Sequence, residues 1–541
     1  MATLYSGGSV FDGHRHLPGH GLLVDDGKVV AVPEPGELDL LDRRDHEVVD
    51  LAGGLVSPGF TDAHCHPIQG GLERRQCDLT DGSTREDYLA LVREYAERFE
   101  GPWIRGGGWA MAAFPGGTPS AEDLDAVVPD RPVFLPNRDH HGAWVNSRAL
   151  ELAGITAETP DPPDGRIERL PDGRPQGTLH EGAMDLVAGL QPDMPPEEYA
   201  AGLVEGQRYL FSLGVTAWQD AIVGAYDGMA DTGSTYLDAV ANGDLLADVV
   251  GALWWERGLG LEQVPDLVER RRRQTGGRFR ATSVKIMQDG VCENFTAAML
   301  SPYLDGHGHA TDHAGHSFVE AEELKEVVVA LAAEGFQVHV HAIGDRGTRE
   351  ALDAFAAARG DQRADLRHHI AHLQVVHPDD VPRFAELGVA ANAQALWAYH
   401  EPQMDDLTIP FLGEERATWQ YPFGGLHRAG ARLVMGSDWP VTSPDPLAAI
   451  HTAVTRTSYG DEGAPFLPEQ AVDLTTAFAA YTSGSAWING RDRLDGAGVI
   501  APGHAADLVV LDRDPFAGPV DEIGATRVLS TWIGGRAVHQ A

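Results

Sequence analysis

The centre of this chain alternates between short apolar segments typical of buried strands and Ala- and Glu-rich segments typical of helices. Eight segments fit the strand pattern, and helical segments such as "EELKEVVVALAAEG" lie between them. Eight strands alternating with helices predict an α/β fold, a (β/α)8 barrel of the TIM type. The strand candidates are "GLVSPGFTDAHCHP", "GVTAWQDA", "LADVVGALWW", "ATSVKIMQDG", "FQVHVHAIGD", "RHHIAHLQ", "GVAANAQAL" and "ARLVMGSDWP".

A doubly wound open sheet is the competing α/β architecture. Such a sheet is expected to carry a glycine-rich fingerprint for binding phosphate. The chain contains no GxGxxG sequence, no Walker-type loop and no GxSxG elbow. The barrel is therefore the favoured prediction.

Both ends of the chain differ from the centre, with short β-like runs separated by glycine. Each end is roughly 50 residues long, which is too few to bury a stable core alone. We therefore expect residues 1–56 and 490–541 to join into one small, discontinuous β-sandwich domain. The barrel would occupy residues 57–489 between them.

One connection is much longer than an ordinary loop. It runs from about residue 70 to about residue 210 and includes "WIRGGGWAMAAFPGG" and "HHGAWVNSRAL". We interpret it as a large insertion after the first barrel strand. At the active-site end of the barrel it would act as a wall and a lid.

Residues that can bind metal stand at the ends of five predicted strands. The first strand ends in His64-Cys65-His66, whose histidines share a face because side chains alternate along a strand. In a barrel the carboxyl ends of the strands meet at one mouth. Four imidazoles and a carboxylate suit a divalent ion, most simply Zn²⁺. The predicted metal site consists of His64, His66, Lys285, His341, His372 and Asp438, with His339 deeper on the same face as His341.

Lys285 is unusual because the chain has only three lysines and this one lies in an apolar segment, "SVKIMQDG". A lysine at a sheet edge could extend its amine into water. Inside a barrel, burial of the ammonium is costly and neighbouring metal ions would repel it. A neutral amine can instead react with CO₂ to form a carbamate, whose two oxygens can bridge two ions. Arginine, always protonated, cannot do so.

The chain resembles the metal-dependent amidohydrolase superfamily, specifically amidohydrolase family 3, the branch of N-substituted formamide deformylase and the YtcJ-like proteins. The resemblance covers nearly the whole chain. It implies a (β/α)8 barrel with a discontinuous β-sandwich and hydrolysis at a metal centre. The motifs that carry it are "PGFTDAHCH", "GGGW", "HGAWVNSRAL", "VKIMQDG", "HAIGDR", "GSDWPV" and "PGHAADLVVLD".

The resemblance also implies how the ligands divide between metal ions. His64, His66 and Asp438 would hold one ion, and His341 and His372 would hold the other. Carboxylated Lys285 would lie between them. Ala371 stands where many relatives have an acidic residue, and some relatives work with a single ion, so one or two ions are expected.

These residues predict a metal-dependent hydrolase of a non-peptide carbon–nitrogen bond, in a linear amide or an N-substituted formamide. The predicted catalytic residues are Asp438, which would move a proton from water to the leaving nitrogen, and Lys285. One alternative is hydrolytic deamination of a ring or imine carbon. Deaminases of the superfamily generally lack the strand-four lysine and carry an HxxE-type acid, whereas "AIGD" follows His341. A non-catalytic barrel that binds a small molecule or a partner is the third alternative. Such a protein should lack at least one metal-binding residue, whereas all six positions are filled here.

Four further residues are predicted to bind substrate or to support its site. Trp109 and His141 lie in the insertion, where packing of the lid is the alternative role. Asp289 and Asp345 follow Lys285 and His341 by four residues, so they could orient ligands or cap helices. The histidine-rich segment 305–316 is expected to be a solvated loop, with a second metal site or a mobile substrate loop as alternatives.

The charge balance restricts the partners. The chain has 81 acidic and 41 basic residues, a net charge of −40, which argues against nucleic acid and anionic membranes as partners. No secretory signal is visible, and three cysteines without a CxxC pair are expected to be reduced thiols in a cytoplasmic protein. The expected partner is a small-molecule amide, and a homodimer is a possible assembly.

Overall fold

The computed structural model describes residues 2–41, 46–226, 228–360 and 365–541. Its centre is a sheet in which eight parallel strands pair in chain order. This confirms the predicted barrel, and each strand overlaps one of the eight predicted segments. Barrel strands one to eight are Phe60–Cys65, Val215–Val223, Asp248–Trp254, Phe279–Met287, Gln337–Ala342, His369–His372, Ala390–Ala393 and Leu433–Met435.

The first and last barrel strands meet at their carboxyl ends. The backbone N–H of Asp438 donates to the carbonyl oxygen of His64 at 2.7 Å, and the N–H of His66 donates to that of Trp439 at 2.7 Å. The residues predicted to bind metal on these strands therefore lie at the seam of the barrel.

Helices separate the strands and cover the outside of the barrel. In barrel strand four, Val284 and Ile286 pack into the apolar layer below the helices. Because strand side chains alternate, Lys285 faces the barrel interior. The helices that follow the strands are Pro196–Ser212, Gly233–Asn242, Val264–Arg273, Ala321–Ala333, Asp345–Ala358, Val381–Leu387, Phe423–Arg428 and Pro446–Thr455.

The two ends of the chain form a pair of sheets with a shared apolar core that includes Tyr5, Val56 and Val510. In the six-stranded sheet, Leu55–Pro58 pairs antiparallel with Leu508–Leu511, which joins the N-terminal and C-terminal parts. One sheet contains Thr3–Ser6, Leu22–Asp25, Lys28–Ala31 and Glu47–Asp50, and the other contains Ser9–Phe11, His16–Leu17, Leu55–Pro58, Leu508–Leu511, Val528–Ile533 and Arg536–Gln540.

The long connection after barrel strand one carries a six-stranded sheet of its own. Its strands span residues 77–181, and the later helix Pro196–Ser212 leads into barrel strand two. The strands are Cys77–Asp78, Ile104–Gly107, Val133–Pro136, Gly142–Val145, Gly165–Arg169 and Pro175–Glu181, with helices Pro67–Glu73, Arg85–Arg98, Ala121–Asp125, Ser147–Ala153 and Asp185–Ala188.

A buried arginine links the barrel to the C-terminal part of the sandwich. Arg491 is 1% exposed, and its Nη2 donates to Asp507 Oδ2 at 2.8 Å, while its Nε lies 3.8 Å from Asp248 Oδ1 at the start of barrel strand three. The remaining short helices are Pro35–Leu38, Pro402–Leu407, Ile409–Leu412, Glu414–Ala417, Leu474–Ala479, Ser485–Ile488 and Arg491–Leu494. Within the described ranges, no helix has both the length and the apolar character needed to cross a membrane.

Candidate metal centre and active site

All six residues predicted to bind metal line one small chamber at the carboxyl ends of the barrel strands. The chamber has a volume of about 60 Å³. Its side chains are almost entirely buried: Lys285 is 3% exposed and His64 is 1% exposed. The strand-end positions expected from the spacing in the sequence therefore converge as predicted. The six residues are His64, His66, Lys285, His341, His372 and Asp438.

Asp438 is the centre of this group. Its Oδ1 lies 3.0 Å from Nε2 of both His64 and His66, and its Oδ2 lies 3.9 Å from Nδ1 of His372. Ligand atoms of His64, His372 and Asp438 all fall within 4.8 Å of one another. Among the described residues this is the one group of histidine, cysteine and acidic side chains whose spacing could hold a metal ion.

The donor atoms fit a divalent metal ion. The Nδ1 atom of His372 is buried and has no hydrogen-bond partner in the described part of the chain, which suits a nitrogen reserved for a ligand. Burial, reinforced by Lys285, lowers the pKa of His64 to about 3, so its imidazole is neutral. Burial alone would raise the pKa of Asp438, but His64 and His66 keep it well below its usual range. Neutral imidazoles and an ionised carboxylate are the protonation states that metal binding requires.

Lys285 lies beside this group without a carboxylate at ion-pair distance among the described residues. Its Nζ is 3.4 Å from Nε2 of His64. Burial lowers the pKa of Lys285 to about 7, with Asp438 acting in the opposite direction. A large fraction of this amine is therefore neutral at neutral pH.

Two of these residues have a left-handed backbone conformation, His372 with a φ of 79° and Asp438 with a φ of 58°. Such a conformation costs on the order of 1–3 kcal/mol per residue and persists only where neighbours impose it. Here the N–H of His372 donates to Gln394 Oε1 at 2.7 Å, and the N–H of Asp438 is held by His64. These contacts hold both residues in place at the chamber.

A buried carboxylate below the chamber joins barrel strand one to the loop after strand eight. Asp62 accepts hydrogen bonds from the backbone N–H of His64 at 3.0 Å and from the N–H and Oγ of Ser437 at 3.0 and 2.6 Å. Gly436 must be glycine here, because a Cβ would lie 2.5 Å from the backbone nitrogen of His64. These contacts fix the spacing between His64 and Asp438.

The deeper histidine on strand five orients His64. His339 Nε2 and His64 Nδ1 are joined by a hydrogen bond of 2.9 Å, and His339 Nδ1 is 2.7 Å from Oε1 of Gln219. This chain leaves Nε2 of His64 to face Asp438 and Lys285. Outer partners of this kind fix the tautomer and ring orientation of a metal ligand.

Asp289 and Asp345 stabilise loops and do not line the chamber. Asp289 is fully buried and accepts three backbone N–H groups, from Ile343 at 2.9 Å, Gly344 at 2.8 Å and Ala298 at 2.9 Å. The bonds to Ile343 and Gly344 fix the loop that follows His341, and Asp289 Oδ1 lies 3.6 Å from Nε2 of this histidine. Asp345 is the first residue of its helix, and its Oδ1 accepts from the N–H of Leu300 at 2.8 Å.

The two aromatic candidates of the insertion differ in their positions. Trp109 is fully buried in an apolar cluster with Phe114 and Trp144, and its Nε1 donates to Leu135 O at 2.7 Å. It does not line the chamber. His141 does line the chamber, with its ring 5.6 Å from that of His341. The "GGGW" resemblance therefore identified a packing residue of the insertion, whereas "HGAWVNSRAL" identified a residue of the site.

His141 is held by a carboxylate that the sequence analysis did not identify. Glu181 Oε1 is 2.8 Å from His141 Nδ1 and also accepts from Thr296 Oγ1 at 2.8 Å and Asn294 Nδ2 at 3.1 Å. Burial acts against a charged imidazole, but Glu181 outweighs it and raises the pKa of His141 to about 9. Gly290, after barrel strand four, makes room for this carboxylate, because a Cβ there would lie 2.5 Å from Glu181 Oε1.

Two more residues of the chamber were not predicted. His140 neighbours His141, has a φ of 63° and lies 3.3 Å from Glu73 Oε1. Trp397 stacks on His372 with ring centroids 5.2 Å apart and an interplanar angle of 5°. The double histidine in "NRDHHGAW" was a usable signal for His140, but Trp397 follows barrel strand seven, where no metal ligand drew attention to it.

The histidines of segment 305–316 have local partners. His313 Nε2 is 2.7 Å from the carbonyl oxygen of Phe295, and His309 Nδ1 is 3.2 Å from Asp305 Oδ2. His307 and His309 are exposed, as expected for a solvated loop. None of these histidines belongs to a group that could hold a metal ion in the described ranges.

Comparison with known proteins agrees with this geometry. Residues 47–539 match the model of an amidohydrolase family, Amidohydro_3. The chain is 31% identical to protein LONG AFTER FAR-RED 3 of Arabidopsis thaliana over 99% of this chain and 91% of that protein. It is 28% identical to N-substituted formamide deformylase of Arthrobacter pascens (96% and 95% covered) and 28% identical to putative amidohydrolase YtcJ of Bacillus subtilis (91% and 90% covered).

A solved structure is similar over nearly the whole chain. It is an uncharacterized metal-dependent hydrolase from Pyrococcus furiosus, with a TM-score of 0.69 and 26% identity over 95% of this chain and 100% of that one. These matches confirm the predicted family branch and enzyme class, a metal-dependent hydrolase acting on carbon–nitrogen bonds. The chain belongs to the amidohydrolase family.

Proposed function

We propose that the protein hydrolyses a linear amide bond of a small molecule, with N-substituted formamides among the substrates to be tested. One observation carries the proposal: Asp438 lies 3.0 Å from both His64 and His66, beside Lys285, in a buried chamber at the end of a barrel. The similarity to a protein named N-substituted formamide deformylase supports the choice of substrates.

We assign the metal ligands as the family resemblance implies, to side chains that line the chamber. His64, His66 and Asp438 would hold one divalent ion, and His341 and His372 would hold a second, with carboxylated Lys285 between them. Imidazole and carboxylate donors favour Zn²⁺ over harder ions. When bound, such ions polarise the substrate carbonyl and lower the pKa of the attacking water.

Lys285 is proposed to act as a carbamate. Its neutral amine would add to CO₂, forming an N–C bond and releasing one proton, which leaves an anion with two oxygens. The burial of Lys285, its lack of a carboxylate partner in the described ranges and its position beside His64 support this assignment. A positive charge at this position would weaken binding of any cation in the chamber.

Asp438 is proposed to carry the proton. Its Oδ1 faces the two histidines of strand one, and its Oδ2 makes no hydrogen bond among the described residues. Asp438 would accept one proton from the attacking water and donate it to the nitrogen as the carbon–nitrogen bond breaks. One amide and one water thereby give one carboxylic acid and one amine.

His141 is proposed to contact the substrate carbonyl. Its Nδ1 is occupied by Glu181, so its Nε2 is the nitrogen available to the chamber. Asp345, the carboxylate that follows barrel strand five, instead binds the N–H of Leu300, so the loop after His341 supplies no acid of the deaminase type. This arrangement favours amide hydrolysis over deamination.

The test is hydrolysis of a substrate panel by purified, metal-analysed protein. The panel contains N-aryl and N-alkyl formamides, N-acyl amines and N-acyl amino acids, with release of the amine as the readout. Asp438→Asn serves as the inactive control, because it cannot carry the proton. Absence of amine release from every compound by metal-replete protein would refute the proposal.

A cytoplasmic location is also proposed. All three cysteines, Cys65, Cys77 and Cys292, are free thiols buried in the fold. Free thiols are typical of proteins kept in a reducing compartment. Fractionation of the native host, with detection of the protein by antibody, would test this assignment.

A further inference from the structure

The chamber has a larger cavity on each side. We name the first the outer cavity: it has a volume of about 390 Å³, and its lining includes Leu396 and Thr442 from the loops after barrel strands seven and eight and Arg138 from the insertion. We name the second the lid cavity: it has a volume of about 690 Å³ and is lined by the insertion and by loops after strands two and three, including Asp185 and Ala225.

Each cavity shares walls with the chamber, through different residues. The outer cavity shares Trp397 and Val441 with the chamber. The lid cavity shares Tyr226 and Trp254, whose rings lie 4.9 Å apart. A bond held at the chamber therefore has room for one substituent in each cavity.

The position of Asp438 indicates which substituent of the substrate enters which cavity. The residues that follow it, 439–443, line the outer cavity. In the proposed function Asp438 gives its proton to the leaving nitrogen, so that nitrogen lies on the same side as these residues. The amine group then extends into the outer cavity, and the acyl group extends past Tyr226 into the lid cavity.

The charge of the lid cavity limits what the acyl group can be. The lid cavity is lined by five acidic residues and one arginine, and that arginine, Arg257, is already paired with Asp164 at 3.2 Å. The outer cavity instead contains Arg138, which has no ion pair with an acidic side chain among the described residues. A carboxylate on the acyl side would therefore be repelled.

We propose that the substrate is an amide with a large substituent on both sides of the scissile bond and with no carboxylate on its acyl side. This inference rests on the proposed function and narrows it, because a formamide has only hydrogen on its acyl side. The lid cavity therefore narrows the proposed substrates to amides with a large acyl group that carries no carboxylate.

The test compares substrates that differ on one side only. Four amides combine a formyl or pentanoyl group with methylamine or benzylamine, and N-benzylsuccinamate adds a carboxylate at nearly the size of N-benzylpentanamide. With metal-replete protein we expect kcat/KM for N-benzylpentanamide to exceed that for N-benzylformamide at least about tenfold. We expect the succinamate to be slower than the pentanamide by at least about tenfold.

Variants then separate the two cavities. Ala225→Trp narrows the lid cavity and should reduce the pentanoyl-to-formyl ratio of kcat/KM several-fold. Leu396→Trp narrows the outer cavity and should reduce the benzyl-to-methyl ratio. Leu529→Trp, at an exposed position of the C-terminal sandwich, is the matched control and should change neither ratio. Metal content and the thermal midpoint of each variant verify that it is folded.

The outcomes distinguish this inference from the proposed function. Equal or faster hydrolysis of N-benzylformamide would overturn the inference while amide hydrolysis stands. Equal rates for the succinamate and the pentanamide would overturn its exclusion of carboxylates. Ratios that neither variant changes would overturn the assignment of the cavities. If metal-replete protein cleaves none of these amides, the proposed function is wrong, and this inference is wrong with it.

Discussion

Asp438 and His64 are joined twice, through the backbone N–H of Asp438 to the carbonyl of His64 at 2.7 Å and through their side chains at 3.0 Å. The first contact closes the barrel between strands eight and one. The second brings together the two side chains proposed to share a metal ion. The closure of the fold and the assembly of the site therefore depend on the same pair of residues.

The first prediction concerns Lys285. Lys285→Arg and Lys285→Ala should both lose metal and reduce kcat/KM by at least about a hundredfold, because neither side chain can form a carbamate. Short carboxylic acids at high concentration should restore part of the rate of Lys285→Ala by supplying the missing oxygens. Lys325→Ala, at a half-buried position on helix Ala321–Ala333, is the control. An active Lys285→Arg enzyme would contradict the carbamate.

The second prediction concerns the metal. Purified protein should contain one to two equivalents of a divalent ion, most of it zinc, as measured by elemental analysis. Chelation should abolish hydrolysis, and addition of zinc should restore it. Metal-free protein with full turnover would rule out the metal centre.

The third prediction concerns the partner of His64 below the chamber. His339→Leu removes the hydrogen bond that orients His64, so affinity for zinc should fall about 10- to 100-fold, as measured by competition with a chromogenic chelator. His427→Leu, on an exposed helix turn, should leave zinc affinity unchanged. If His339→Leu binds zinc as tightly as the unmodified protein, the orienting role is wrong.

The fourth prediction separates the two candidates of the insertion. His141→Gln should lower kcat/KM with metal content unchanged, because it lines the chamber. Trp109→Ala should instead lower stability by about 3–5 kcal/mol, because it empties a packed aromatic cluster. Kinetics and chemical unfolding of both variants provide the comparison. If Trp109→Ala instead lowered kcat/KM without a loss of stability, Trp109 would belong to the substrate site.

The fifth prediction concerns pH. The folded-state pKa of His141 is raised from 6.5 to about 9, so its pairing with Glu181 contributes stability fully below pH 6.5 and loses that contribution as the pH rises through 9. The gap in thermal midpoint between the unmodified protein and His141→Gln should therefore shrink between pH 6.5 and pH 9. Glu181→Gln should show the same trend, and a gap independent of pH would contradict it.

Sequence patterns were sufficient for the barrel and for the convergence of the proposed metal ligands at one chamber, because both follow from short-range rules. Strand alternation places Lys285 inward, and parallel strands bring His341 and His372 to one mouth. Glu181 and Trp397 could not be found in this way. They reach the chamber through the packing of the insertion and of the loop after strand seven, which depends on contacts between distant parts of the chain. Trp109 shows the same limit, since its surroundings are set by Phe114 and Trp144.

The pairing of Leu55–Pro58 with Leu508–Leu511 has a consequence for synthesis. Barrel strand one begins two residues after Pro58. The strand that pairs with Leu55–Pro58, Leu508–Leu511, is nevertheless one of the last to emerge from the ribosome. At about 5–20 residues per second, the delay is on the order of tens of seconds. His64 and His66 are synthesised early, but almost the entire chain must follow before Leu508–Leu511 can pair with the strand that precedes them. A nascent chain stalled before residue 508 should therefore remain sensitive to protease at barrel strand one.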